Sequence, residues 1–182
     1  DTVIALDIIK RYPDLFYTTV GYHPHNAKDF KYEYIDKISQ YCKNERVIAI
    51  GECGLDYYRE YSTTKQQTLC FENHLLLATE NKAPVFLHER KAHKDFTAIL
   101  KKYNDDIDKK VVHCFTGEKV ELETYLDMGC YIGITGWISD LSRGKHLHNL
   151  PLQNMQVRLQ VLVVSSCLRV LQSILHHAHC IQ

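Results

Sequence analysis

Short apolar runs alternate with segments of helical periodicity along the first 135 residues of the chain. The runs are continuous and rich in β-branched and aromatic residues, which is typical of parallel strands covered on both faces. They occupy residues 15–21, 47–50, 84–87, 110–112 and 131–135. Between them, apolar residues recur at helical spacing, as at Ile35, Ile38 and Tyr41. The pattern predicts an α/β fold built from consecutive strand–helix units.

Two local signals mark helix ends in this pattern. Thr63 and Gln66 have the spacing of a capping box, in which each side chain binds the backbone N–H of the other residue, and they predict the start of a helix. Gly129 follows an apolar helical segment and predicts its end, because glycine adopts the left-handed backbone conformation that commonly stops a helix.

Polar residues follow four successive predicted strands. They are His23 with His25, then Glu52, His88 and His113. The carboxyl ends of parallel strands share one edge of the sheet, so these side chains should converge where both (β/α) barrels and open doubly wound sheets bind ligands. A single such histidine is usually structural. Four acid–base groups crowded together favour a divalent cation, because imidazole and carboxylate suit zinc, manganese or iron, and carboxylate suits magnesium.

Composition narrows the class of protein. The chain has 182 residues, zero net charge and 24% charged residues, which predicts one soluble globular domain and excludes whole-chain disorder and capture of nucleic acid by bulk charge. No apolar run approaches the roughly 20 residues of a membrane span, so we expect no membrane association. Seven cysteines without CxxC spacing predict reduced thiols and a cytoplasmic location, with the nucleus as the alternative.

Composition changes near the carboxyl end of the sequence. No Asp or Glu follows Asp140, and residues 151–182 are dominated by Leu, Val, Gln, Ser, Cys and His. Within them, His176, His177, His179 and Cys180 resemble a metal-binding cluster, which we interpret as a chance grouping.

Several motifs resemble those of the TatD family of metal-dependent deoxyribonucleases, which belongs to the amidohydrolase-like barrel hydrolases. They are GYHPH at residues 21–25, AIGECGLDY at 49–57, PVFLHER at 84–90, VVHCFTG at 111–117 and YIGITGW at 131–137. The resemblance implies a partial (β/α)8 TIM-type barrel over residues 1–150, with about five native strands, and an atypical tail over residues 151–182.

The resemblance also implies site residues and an activity. Glu52, His88 and His113 match the divalent-metal ligands of the family, whose intact site holds two ions, with Mg, Mn or Zn as candidates. His23 matches a catalytic histidine that touches the scissile phosphate or assists proton transfer, and His25 beside it is expected to bind substrate. The implied function is hydrolysis of phosphodiester bonds in DNA, typically as an exonuclease, with no obligate protein partner expected.

Two departures from the family pattern affect this expectation. The family's first two strands, with their metal-site motif, lack counterparts here. The expected place of its Glu-Thr-Asp-x-Pro motif reads VLVVSSC at residues 161–167. A reading-frame shift near residues 152–157 and an alternative transcript end both account for this tail. We therefore expect little or no nuclease activity from this chain.

Other residues near the motifs have two interpretations each. Asp56 could take part in catalysis by orienting a ligand histidine or a water molecule, or it could cap a loop. Arg90 could bind phosphate of the substrate, or it could form an ion pair with Glu89 or Asp95. Trp137 could stack on a nucleobase or pack the mouth of the barrel.

Two other functional classes remain open at this stage. The chain could be a non-catalytic fragment that binds metal weakly, because missing strands would leave open sheet edges. It could also be a barrel hydrolase of a small amide or ester, since related barrels use similar ligand sets.

Overall fold

A computed structural model describes residues 2–140, 142 and 144–150, together with the backbone of residues 159–160. Within these residues, six parallel strands form one sheet in the order of the sequence, β1-β2-β3-β4-β5-β6. The strands are β1 (Thr18–Val20), β2 (Val47–Asp56), β3 (Val85–Arg90), β4 (Lys110–His113), β5 (Tyr131–Gly133) and β6 (Leu159–Gln160).

Helices connect the strands, as the periodicity predicts. The α-helices are α1 (Thr2–Arg11), α2 (Ile35–Cys42), α3 (Thr64–Asn81), α4 (His93–Lys101) and α5 (Lys119–Asp127). Short 3₁₀ helices span Pro24–Asp29, Tyr32–Tyr34, Gly136–Ser139 and Lys145–Asn149. The predicted capping box of Thr63 and Gln66 opens α3, and Gly129 follows α5 with a φ of 76°, so both helix-end predictions are confirmed.

The strand order distinguishes between the two classes of parallel sheet. Each strand pairs with its neighbour in sequence, whereas a doubly wound sheet reverses direction at a switch point. Consecutive pairing is the winding of a (β/α) barrel, so the predicted fold class is confirmed. The sixth strand, β6, falls inside the segment predicted to be a tail; the rest of residues 151–182, including residues 161–167 and 176–180, lies outside the described residues.

Strand lengths differ from the sequence prediction in two places that matter for the site. β2 continues six residues past the apolar run 47–50 and ends at Asp56, and β3 continues to Arg90. The polar residues Glu52, Asp56 and His88 therefore lie within strands rather than in the loops that follow them. The apolar runs underestimated the strands because polar residues and glycines interrupt the apolar pattern in the extension of β2, and because His88, Glu89 and Arg90 extend β3.

Two apolar layers cover the two faces of the sheet. The larger one lies between the sheet and the helices and includes Phe71, Leu75, Phe96, Leu122 and Ile132 among its buried members. The smaller one is built from Ala49, Phe86 and Val111, with Ile48 and Tyr131 packed against it. Alternate residues of a strand face the same side, so His88 and His113 stand on the same face as Phe86 and Val111.

A β-bulge and two glycines shape the middle of β2. Gly51 pairs with Phe86 and Cys53 pairs with Leu87, which leaves Glu52 as an extra residue without a partner on β3. Bulges commonly redirect a side chain next to an active site. Gly54 has a φ of 146°, and a Cβ atom there would collide with the carbonyl oxygen of His88. Glycine at this position thus allows β3 to lie close beside Glu52.

Replacing Gly54 with alanine should destabilise the fold, because the added methyl group meets backbone and the φ of 146° is unfavourable for a residue with a side chain. We expect the free energy of unfolding to fall by about 2–5 kcal/mol. Gly136→Ala is the matched control, since a Cβ there meets nothing within 4 Å. Urea unfolding followed by circular dichroism measures both variants, and equal midpoints would contradict the role given to Gly54.

Candidate metal centre

Four strands deliver the predicted site residues to one edge of the sheet. His23 follows β1 and caps the first 3₁₀ helix, Glu52 lies in the bulge of β2, His88 lies on β3, and His113 ends β4. His88 and His113 are direct partners in the parallel register. The convergence predicted from the sequence is therefore present in the fold, while the chemical role of each residue stays a prediction.

Glu52, His88 and His23 form the tightest group at this edge. The Nδ1 atom of His88 lies 2.8 Å from Oε1 of Glu52 and 3.2 Å from Nε2 of His23. The Nε2 atom of His23 lies 3.7 Å from Oε1 of Glu52. An ionised carboxylate can only accept hydrogen bonds, so the contact between His88 and Glu52 requires a proton on Nδ1 of His88, which a bound cation would replace.

Asp56 lies on the other side of His88 and is 1% exposed. Its Oδ2 atom is 3.2 Å from Nε2 of His88 and 2.7 Å from Nε2 of His25. Its Oδ1 atom accepts hydrogen bonds from the backbone N–H groups of Tyr58 and Arg59, both at 2.9 Å. The two interpretations of Asp56 are thus compatible, because one oxygen contacts histidines and the other caps the turn.

His23 has a hydrogen-bond pattern that limits its role. Its Nδ1 atom accepts a hydrogen bond from the backbone N–H of His25 at 3.1 Å. A neutral imidazole that accepts at Nδ1 carries its proton on Nε2. The Nε2–H group of His23 therefore faces the Glu52 carboxylate, with Nε2 3.7 Å from Oε1, which suits contact with an anion better than ligation of a cation.

His113 lies beside this group without hydrogen bonding to it. Its ring packs against Phe86 with centroids 4.6 Å apart, and in the described part of the chain no hydrogen bond joins it to Glu52 or His88. Burial lowers the pKa of His113, the charge of Glu52 opposes that shift, and His88 adds to it. A neutral His113 retains a lone pair on one ring nitrogen, which is available to a cation that lies beside Glu52 and His88.

Burial and charge set the protonation of the group. Burial and the neighbouring His88 lower the pKa of His23 to about 4. Burial disfavours the charged forms of Glu52 and His88, but their mutual hydrogen bond and charge attraction dominate, so the pKa of Glu52 is lowered and that of His88 is raised. Burial of Asp56 is likewise outweighed by His25, the N–H of Arg59 and His88, which lower its pKa.

The predicted ligands Glu52, His88 and His113 overlap with a second grouping in the structure. His23, His25 and His88 each offer one nitrogen, and these nitrogens lie within 4.8 Å of one another. This histidine group could hold a metal ion. The donor role of the His23 Nε2–H group favours the contact between Glu52 and His88 as the better cation position.

The contacts of Arg90 agree with only one of its two predicted roles. Its guanidinium carbon lies 4.0 Å from the ring centroid of Tyr58 and 5.9 Å from that of Trp137. The predicted ion pair with Glu89 or Asp95 is wrong for the described residues. Glu89 instead accepts from the Ala92 N–H and the Tyr125 hydroxyl, and Asp95 accepts from the Tyr57 hydroxyl.

Two buried polar residues of α3 support the site and were missed in the sequence. Gln67 binds the backbone of Asp56 in both directions, accepting from its N–H at 2.7 Å and donating to its carbonyl at 3.1 Å. His74 donates from Nδ1 to the carbonyl of Cys70 at 2.7 Å and accepts at Nε2 from the N–H of Tyr22 at 3.0 Å. The sequence signal that could have identified them is their position on α3, because Gln67 and His74 share one helix face with the apolar residues Phe71 and Ala78.

This combination defines a class: a (β/α)-barrel fold with histidines and carboxylates gathered at the carboxyl edge of its strands. The sequence profile of the family "TatD related DNase" matches residues 1–159, and the chain belongs to this family. It is 43% identical over 146 residues to a protein of Erwinia tasmaniensis named "3'-5' ssDNA/RNA exonuclease TatD". It is 45% identical over 139 residues to a protein of the same name from a Pantoea species.

These matches cover only part of each relative. The first alignment spans 80% of this chain and 56% of the Erwinia protein, and the second spans 76% and 54%. A TatD family hydrolase from Entamoeba histolytica superposes with a TM-score of 0.72 at 31% identity, covering 86% of this chain and 54% of the other. An amidohydrolase from Saccharomyces cerevisiae, with a TM-score of 0.69 at 23% identity over 96% and 65% of the two chains, shows the shared fold alone.

His74 should make the stability of the protein depend on pH. Burial lowers its pKa to about 4, below the ordinary value of 6.5 in the unfolded chain. The unfolded state therefore binds the proton more strongly, and the stability that is present above pH 6.5 is lost as the pH falls toward 4. Between pH 7 and 5, we expect this residue to lower the free energy of unfolding by about 2 kcal/mol.

His74→Gln is the matched variant, because glutamine keeps an acceptor for the Tyr22 N–H and does not titrate. Denaturant unfolding at several pH values should show a weaker loss of stability on acidification for the variant than for the parent chain. Parallel pH dependence of the two proteins would show that His74 is not the titrating group.

Proposed function

We propose that this chain carries the central part of a divalent-metal-dependent phosphodiesterase site that hydrolyses nucleic acid. The observation that carries the proposal is the 2.8 Å contact between Nδ1 of His88 and Oε1 of Glu52, with Asp56 behind the other ring nitrogen. A carboxylate and a histidine that face each other, with a second carboxylate fixing the histidine ring, is a recurrent arrangement at metal sites.

The residues present fit a divalent cation. Glu52 and His88 would hold it between β2 and β3, with His113 as the third donor from β4. When bound, a divalent cation polarises the phosphate and lowers the pKa of a water molecule so that it can attack. Two imidazoles and one carboxylate favour zinc or manganese over magnesium, which prefers oxygen ligands. The family site with two ions remains the expectation for a protein of full family length.

His23 is proposed to donate a hydrogen bond to the phosphate group of the substrate. Its Nε2–H group faces the Glu52 carboxylate, and its low pKa leaves it neutral near pH 7. A fixed N–H donor at this position stabilises the negative charge that develops on the phosphate oxygens as the bond breaks. His25 touches Asp56 and is proposed to lie beside the substrate.

Asp56 is proposed as a positioning residue for His88. Its Oδ2 atom lies 3.2 Å from Nε2 of His88, which keeps the proton on that nitrogen and leaves Nδ1 for the cation. Gln67 fixes the backbone of Asp56, so the carboxylate depends on α3 for its position.

The substrate is proposed from the named relatives. The Erwinia and Pantoea proteins are called 3'-5' ssDNA/RNA exonucleases, so we propose single-stranded DNA as substrate and add RNA to the DNA expected from the motifs. Because the chain spans just over half the length of these relatives, metal binding without hydrolysis is the second candidate. The similarity to the yeast amidohydrolase carries no argument for amide hydrolysis.

The cytoplasm remains the proposed location. Cys42, Cys53, Cys70, Cys114 and Cys130 are free thiols in the structure, as a reducing compartment favours. None of the helices among the described residues has the length and apolar character needed to cross a bilayer.

Glu52→Gln should reduce metal affinity, because a neutral amide replaces the only carboxylate proposed as a direct ligand. Loss of a residue that only hydrogen bonds to a metal ligand commonly lowers metal affinity by about 10–100-fold, and we expect loss of a direct ligand to lower it further. Calorimetric titration with Mn²⁺ or Zn²⁺ measures the change. Glu80→Gln is the control, since Glu80 is exposed near the end of α3 at the opposite edge of the sheet. Unchanged stoichiometric metal binding by Glu52→Gln would exclude Glu52 as a ligand.

Digestion of single-stranded DNA and RNA with Mg²⁺, Mn²⁺ or Zn²⁺ tests hydrolysis itself. We expect little or no product from the 182-residue chain and clear digestion by a version extended at both ends to the length of its relatives. In the extended protein, His88→Gln should abolish digestion. An extended protein that binds metal but leaves both nucleic acids intact would overturn the proposed activity and favour the second candidate.

A further inference from the structure

Three flat side chains meet at the edge of the candidate metal centre. The guanidinium group of Arg90 stacks over the ring of Tyr58 at 4.0 Å and lies 5.9 Å from the ring centroid of Trp137. We call these three residues the aromatic–arginine surface. None of the three belongs to the proposed ligand set, and the chemistry proposed above does not use Tyr58 or Trp137.

Chain connectivity places this surface beside the site. Tyr58 follows Asp56 by two residues, and Arg90 follows His88 by two residues on β3. Trp137 belongs to the 3₁₀ helix that follows β5, at the same edge of the sheet. The surface is therefore built from residues on or shortly after β2, β3 and β5, and two of these strands, β2 and β3, also carry residues of the metal centre.

Arg90 has its charge available for a ligand. In the part of the chain that the structure describes, no carboxylate lies within ion-pairing distance of its guanidinium group, and the neighbouring Glu89 and Asp95 are engaged by other donors. An arginine that stacks one face of its guanidinium group on an aromatic ring keeps its N–H edge for phosphate and its opposite face for a base.

Tyr58 is an exposed ring, and the guanidinium carbon of Arg59 also lies over it, 5.6 Å from its centroid. Its side chain is 57% exposed although it stands next to a buried carboxylate, and its backbone N–H is tied to Asp56 at 2.9 Å. An exposed ring on a fixed backbone loses little conformational entropy on binding. Proteins that bind single strands combine such rings with positive charge, because every nucleobase has a face that can stack.

We propose that Tyr58, Arg90 and Trp137 form a stacking site for an unpaired nucleobase next to the phosphate that is cleaved. The inference rests on the proposed function and adds to it a reason for preferring single strands, since a base inside a duplex has no free face to offer. Arg90 binds the adjoining phosphate through its N–H groups while the base stacks on the flat surface.

The single tryptophan of the chain makes the site observable. Trp137 is the only tryptophan among the 182 residues, so its fluorescence reports on this surface alone. The probe is a single-stranded oligothymidylate of about eight nucleotides with phosphorothioate links, which resist hydrolysis, in the presence of Mn²⁺. An abasic strand with the same number of phosphates separates base stacking from phosphate binding. Anisotropy of a labelled strand measures affinity independently.

The proposal predicts that oligothymidylate quenches Trp137 and binds at least about tenfold more tightly than the abasic strand or a duplex of the same length. Tyr58→Leu should weaken binding of oligothymidylate by about tenfold and leave the abasic strand unaffected. Tyr58→Phe keeps the ring and should retain the affinity. Arg90→Lys keeps the charge but loses the plane, so it should also lose the preference for bases over abasic strands.

Tyr12→Leu is the matched control, because Tyr12 is 53% exposed and precedes β1 at the opposite edge of the sheet. Equal affinity for abasic and thymidine strands, or binding by anisotropy without any change in Trp137 fluorescence, would overturn the stacking site while leaving the proposed hydrolysis standing. Absence of binding to every strand would overturn it as well, and the digestion assay would then judge the proposed function separately.

Discussion

The contact between His88 and Glu52 is the interaction on which the rest of the site depends. At 2.8 Å from a carboxylate oxygen, the ring nitrogen must carry a proton, which a bound cation would replace, and the fold supplies the elements that hold the two groups together. The bulge of β2 sets Glu52 apart from the regular pairing, and Gly54 lets the backbone of His88 approach. A buried Asp56 fixes the far side of the His88 ring.

Helix α3 supports the site at two places, namely the end of β2 at Asp56 and the segment that leads into His23. Gln67 in its first turn holds the backbone of Asp56, and through Ser62 the same network reaches the carbonyl of His25. His74, two turns later, holds the N–H of Tyr22, the residue before His23. Because buried polar groups are costly without partners, these hydrogen bonds also specify how α3 docks on the sheet. The site histidines thus depend on a helix that contributes no ligand.

Much of this arrangement was accessible from the sequence, and the reasons for success and failure are physical. Continuous apolar runs, four of the five followed by a histidine or glutamate, indicated a parallel sheet with its polar residues at one edge, since that edge collects the carboxyl ends of all strands. Strand lengths were underestimated because β2 and β3 continue through glycines and charged residues. Hydrogen bonds from α3 to β2 and to the segment after β1 could not be predicted, since they depend on how the helix docks. The stacking of Arg90 on Tyr58, rather than pairing with Glu89, likewise depends on side-chain directions that spacing does not reveal.

Nitrogen-15 NMR of the histidine side chains, with His88 assigned through a His88→Gln variant, tests the central claim most directly. Before metal is added, both ring nitrogens of His88 should carry protons, since Glu52 and Asp56 flank them. Titration with Zn²⁺ should convert Nδ1 to a metal-bound nitrogen and leave Nε2 protonated against Asp56. An unchanged His88 resonance, with zinc-dependent shifts confined to other histidines, would contradict the account.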